Sequence, residues 1–394
     1  MKKDQLFTGL GHPPRDAVSV DASMVSPLRS YLLDSLPVDL SAVAAGRMTY
    51  RELADKQGQL LSSLGPHALR VDDLAVAQVI QLDLLFMING FLPGGPEVVP
   101  RHLSDAVAAQ CARFPSLDPH MSYELLIDVN AGEWHRSGDI RVFTEGELGR
   151  LERDFYLGHH LAEPTVRSAF ELLCTLLQEA DGVDAAETLG AVLRSLEEFR
   201  LYMAQYGKLT RDAFNSFRQY HMGHPGGPRG ASGAFMPSVQ LLELVLLAPT
   251  TEYEVYLDQS MAYFPDWSRP LIAEWREASS QGDNVVDAVL DGRLKLDDAA
   301  AATLLDVIDK FADFRMVHLG VTRKTIPEAF PPGSVVTKKG IARQTGEADI
   351  LDDHNPGTSG FSVHNVLVNS VYRLLEARRS VAARGQTPTD GRTK

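Results

Sequence analysis

Phe311, Phe314, His318 and Val321 recur at spacings of three, four and three. Only a 3.6-residue helix gathers those positions on one face. Helical periodicity recurs in several further segments of the 394-residue chain, whereas sustained period-two alternation is missing. The expected fold class is all-α. The stripe through Phe311 and Val321 also places an imidazole among apolar side chains. From the residues alone, His318 suits either a core histidine bonded to a nearby carbonyl or a neutral ligand for a haem iron.

Several segments carry helix signals with start and stop marks. Tyr50–Leu64 follows Thr49, with Glu52 three residues on, the pattern of a capping box. Asp72–Phe91 is strongly apolar and runs into Leu92-Pro93-Gly94-Gly95-Pro96, a stop. Val166–Leu177 and Thr188–Gln205 read as amphipathic helices, and Arg141–Leu161 as a polar loop carrying His159 and His160. The expected organisation is a loose arm over 1–25, a small helical domain over 26–115, a large helical domain over 116–379 and a disordered tail over 380–394.

The formal charge of −14 argues against a general nucleic-acid binder and against docking on an anionic membrane. Two cysteines, Cys111 and Cys174, form no CxxC, which fits a reducing cytoplasm. The first residues lack the apolar core of a signal peptide. No window approaches eighteen uninterrupted apolar residues, so no transmembrane span is expected. Twelve histidines yield no HExxH and no ExxH. His221 and His224 are expected to be solvated or pocket residues rather than a metal pair. Gly-x-Ser-x-Gly and phosphate-loop patterns are absent.

Three segments together resemble the indoleamine and tryptophan 2,3-dioxygenase superfamily, and are most similar to its monodechloroaminopyrrolnitrin synthase branch. The first is Phe314-Arg315-x-x-His318-Leu319, followed by a long loop and the turn Gly357-Thr358-Ser359-Gly360-Phe361. The second is Phe214 and Arg218, four apart, ahead of the glycine-rich loop Gly226–Ala234 and an apolar helix. The third is Tyr123–Trp134, which begins the family's large domain. The resemblance spans about residues 72–379.

The resemblance implies a haem b enzyme with His318 as the proximal iron ligand and Gly357 and Arg229 near the haem. It implies Phe214, Leu126 and Ile127 around an aromatic substrate ring, with Arg218 on its carboxylate. Ser232, Gly233 and Ala234 would lie over the distal haem face, and Thr358, Ser359, Gly360 and Phe361 would close the mouth of the site. The implied activity is a haem-dependent oxygenase that binds O2 at ferrous haem and adds it to the indole ring of tryptophan or a modified tryptophan, in specialised metabolism. Ser359 and Phe361 replace the glycine and threonine of the dioxygenase turn, which departs from plain tryptophan cleavage. No cysteine stands near His318, so covalently attached haem is not implied. Other readings remain: a hydroxylase or peroxidase-like enzyme of a phenolic amino acid, a haem-binding sensor, or a helical interaction protein in which His318 is core.

Overall fold

The computed structural model describes residues 26–65, 67–132, 140–179, 182–221, 230–231, 233–325 and 363–385. Among them the regular structure is entirely helical, as expected. The α-helices are α1 (Leu36–Ala44), α2 (Tyr50–Leu64), α3 (Leu74–Asn89), α4 (Arg101–Arg113), α5 (Gly146–Gln178), α6 (Ala185–Ala204) and α7 (Arg211–Arg218). They continue with α8 (Pro237–Leu246), α9 (Thr251–Ser260), α10 (Arg269–Ser280), α11 (Val285–Asp291), α12 (Asp298–Thr325) and α13 (Val363–Gly385). The chain divides into two compact units. One comprises 1–119 with 125–149, the other 120–124 with 150–394.

In the first unit, α2 starts with the capping box read from the sequence: the Thr49 side chain accepts from Glu52 N–H while Glu52 accepts from Thr49 N–H. α3 is its core helix, buried on every side from Val79 to Met87. Two polar side chains interrupt that run and both are bonded. Gln81 donates to the Asp118 carbonyl at 2.6 Å, and Arg141 Nε donates to Asp83 Oδ1 at 2.6 Å. Phe86 stacks on Phe143, with centroids 4.4 Å apart. The helix ends in two 3₁₀ turns, where Gly95 adopts φ +100°, a conformation that needs glycine.

Length alone does not exclude a membrane span here. Leu74–Gly94 has a mean hydropathy of 1.6 and is long and apolar enough to cross a membrane. A search for uninterrupted apolar runs passes over it because Gln81 and Asp83 break the run. Its burial (72% of the window) and the Asp83–Arg141 pair are what mark it as a core helix.

In the second unit, α12 is the central element, packed chiefly against α13 and α6 and also touching α7. All ten residues of α8 are buried. Arg141–Leu161, expected as a loop, is instead mostly the first half of α5. Every position of the stripe Glu152, Tyr156, His159, Glu163, Val166, Phe170 and Leu173 is buried. Those spacings alternate four and three, but three of the first four residues are Glu or His, so apolar periodicity could not reveal the helix. Tyr156 Oη bonds Glu152 at 2.7 Å, and Glu163 accepts from Ser238 N–H at 3.1 Å at the start of α8. That carboxylate also sits at the positive end of α8. α13 continues to Gly385, past the expected start of the tail at Ser380, because Val381 is still buried. The arm over 1–25 lies outside the described residues.

Truncating Asp83 removes the carboxylate that pairs with a fully buried guanidinium. Asp83→Ala is expected to destabilise the protein by about 3–5 kcal/mol, read from the urea midpoint of the full-length chain. A midpoint within error of wild type would show that the pair does not hold the first unit.

Candidate functional site

The site is built on α12. Phe314 packs against Phe199 of α6, with centroids 4.3 Å apart, and stacks on Phe311 at 5.9 Å. His318 is the next stripe position, 6.0 Å from the Phe314 ring. Its Nδ1 is enclosed and makes no hydrogen bond among the described residues. The residue as a whole is half-buried. Burial, then the Arg315 guanidinium and His159, pull its pKa down to about 3. His318 is therefore a neutral imidazole.

Two more histidines belong to this region. His159, on α5, is 7% exposed. Burial pulls its pKa down to about 4, opposed by the Phe155 carbonyl. His221, just past α7, is 3% exposed. Burial first, then the Arg218 guanidinium, pull its pKa down to about 3. His159 acts electrostatically on both His221 and His318, so three neutral imidazoles share one region.

Phe214 and Arg218 lie one turn apart on α7, 9% and 6% exposed. This burial removes the surface salt bridge as an account of Arg218. Phe155 joins the two sets of residues: its ring lies 5.9 Å from Phe214 and 4.5 Å from His159. Gly233 belongs to the same region, since a Cβ built on it would lie 3.1 Å from His159 Nε2. The Ala234 carbonyl is fixed by two donors, Tyr256 Oη at 2.6 Å and Gln240 Nε2 at 3.0 Å.

Behind the site lies a buried charge cluster. Glu243 of α8, 0% exposed, accepts from Arg315 of α12, from Arg373 Nη1 of α13 at 2.8 Å and from Ser370 Oγ at 2.9 Å. Burial alone would raise the Glu243 pKa. The two guanidinia and the serine hydroxyl outweigh it and hold the carboxyl below its usual range. Arg315 also lies over the Phe311 and Phe314 rings at 5.3 and 5.6 Å.

Of the residues singled out from sequence, the structure brings His318, Phe214, Arg218, Gly233 and Ala234 into the second unit. Leu126 and Ile127 are buried in a π-helical segment, Glu124–Val129, and group with the first unit. Arg229, Ser232, Gly357, Thr358, Ser359, Gly360 and Phe361 lie outside the described residues, as does His224. His159, Tyr206, Glu243 and Arg373 were not found from sequence. The four-three spacing along α5, counted regardless of polarity, would have found His159. An open groove of about 460 Å³, lined by Arg200, Lys310, Asp313, Met316 and Val317, includes none of the three histidines.

Among the described residues no cluster of His, Cys, Asp and Glu is suited to a free metal ion. The residues do fit a haem. A neutral imidazole on an aromatic-lined helix is what an axial ligand requires. The enclosed Nδ1 of His318 lacks the acceptor that such ligands ordinarily use. No protein-family model matches the chain, and no curated protein shows a significant match to it.

The three histidines make acid stability a direct test. Each has a folded pKa below its unfolded value of about 6.5. Their contribution is complete above that pH and is lost as pH falls toward the folded values of about 4 and 3. Stability is expected to fall by roughly 1 kcal/mol per pH unit for each of His159 and His221, starting near pH 6.5. Urea unfolding between pH 4 and 8 measures it. A flat profile down to pH 5 would mean that these rings are not buried in neutral form.

Proposed function

We propose that this chain is a haem-dependent oxygenase acting on tryptophan or a modified indole amino acid. The observation that carries the proposal is a neutral His318 on the aromatic face of α12, in the same region as a buried arginine and a second neutral imidazole. The segment resemblances described above support the same reading.

In this proposal His318 Nε2 holds haem b. Burial keeps the imidazole unprotonated, so no proton competes for that nitrogen at neutral pH. Arg315, through Glu243, fixes the turn of α12 that precedes His318. The Arg218 guanidinium receives the substrate carboxylate. Arginine suits this because it keeps its charge when buried and offers two parallel donors. Phe214, one turn earlier on α7, packs against the aromatic ring. His159 presents Nε2 as an acceptor, with the Gly233 backbone close against it. The aromatic side chains of Phe155, Phe214 and Phe217 exclude water, which strengthens each of these polar contacts. Haem supplies the redox chemistry that allows oxygen to add to an electron-rich indole bond. The partners are the amino acid and O2 (or peroxide), with no nucleic acid or membrane.

Titration of the purified protein with haemin, followed by reduction and addition of tryptophan, tyrosine and indoles, tests the proposal. A sharp Soret band that shifts with an indole amino acid is the expected outcome; absence of a Soret band would overturn it. His318→Ala is expected to abolish stable haem binding, and full retention with an unchanged spectrum would remove His318 as the ligand. Arg218→Ala is expected to weaken binding of carboxylate-bearing substrates by about 2–4 kcal/mol, with little effect on analogues lacking the carboxylate. Equal losses for both classes would count against a carboxylate contact.

A further inference from the structure

His159 is held on its Nδ1 side by two polar contacts. Its Nδ1 lies 2.9 Å from the Phe155 carbonyl and 2.7 Å from Tyr206 Oη. Tyr206 Oη is itself 3.3 Å from the same carbonyl. A carbonyl oxygen only accepts, so its approach to Nδ1 requires a proton between them. The Tyr206 hydroxyl hydrogen then turns to the carbonyl, and its oxygen shares the Nδ1 proton. The opposite assignment would set an Nδ1 lone pair against the carbonyl oxygen at 2.9 Å. The rings are pinned as well. His159 and Tyr206 stack with centroids 4.9 Å apart and planes 24° apart, and Phe155 lies 5.0 Å from Tyr206.

This arrangement depends on Gly158. A Cβ built there would lie 2.8 Å from Tyr206 Oη and 3.2 Å from its ring. Any side chain at 158 would therefore push the tyrosine off His159. Gly158 has helical neighbours on both sides and no positive φ, so backbone conformation does not call for glycine. The close approach of Tyr206 does.

We infer that Tyr206 is a positioning residue that holds His159 in the Nδ1–H form, leaving Nε2 a hydrogen-bond acceptor beside Gly233, with Gly158 giving the tyrosine room. Its bearing on substrate binding rests on the oxygenase reading above; the tautomer itself does not.

The test is ¹⁵N solid-state NMR of the full-length protein labelled at histidine, in the diamagnetic ferrous–CO state if it carries haem. His159→Gln assigns the signal. Wild type is expected to show one His159 form, with Nδ1 protonated and Nε2 bare; a protonated Nε2 would overturn the inference. Tyr206→Phe keeps the stacked ring and removes only the hydroxyl. It is expected to raise the Nε2–H form roughly five-fold, the effect of one hydrogen bond. Gly158→Ala is expected to move the populations in the same direction. An unchanged His159 spectrum in Tyr206→Phe would show that the tyrosine only fills space. Loss of haem binding would sink the oxygenase reading yet leave this measurement valid.

Discussion

Much of the second unit hangs on one carboxylate. Glu243 has no contact with water and is bonded by side chains from two other helices. Through Arg315 it fixes α12 one turn before His318, and through Arg373 and Ser370 it fixes α13. Arg373 also donates to the Ala248 carbonyl past the end of α8 and lies over the Tyr253 ring. Tyr253 donates to Gln240, and Gln240 donates to the Ala234 carbonyl. A continuous set of polar and cation–π contacts therefore joins the helix bearing His318 to the residues beside His159. Buried ion clusters of this kind add little net stability compared with an apolar core, but they tolerate only one geometry.

That geometry matters because the site consists of groups that water would otherwise spoil. In solvent, imidazoles would be partly protonated near pH 6.5 and poor ligands or acceptors. Burial removes the protonated form at a cost in stability on acidification. Arg315 and Arg218 push in the same direction, since each places positive charge beside a histidine.

Legibility from sequence followed polarity. The α2 capping box, the stop after α3 and the aromatic face around His318 were all visible, because each is a local pattern of residue types. The first half of α5 was not. Glu152, His159 and Glu163 occupy buried stripe positions, and each is ionisable, so a helix that is regular in space reads as an irregular polar segment. The segment Asp72–Phe91 was legible as a strongly apolar helix, and the Gln81 and Asp83 that interrupt it are bonded inside the core. Leu126 and Ile127 show the opposite case: they are buried, and burial by itself says nothing of which ligand, if any, they face.

The sequence by itself determined that this chain would be helical, where several helices begin and end, and that Phe214–Arg218 and Phe314–His318 each lie along one helical face. These follow from backbone periodicity and from side chains a few residues apart. Only the tertiary structure decided that Glu243 would face Arg315 and Arg373, that Tyr206 would reach His159 across Gly158, and that three histidines would share one region. Those pairings join residues 47 to 159 positions apart in the chain. Their energies depend on burial, which no local pattern encodes.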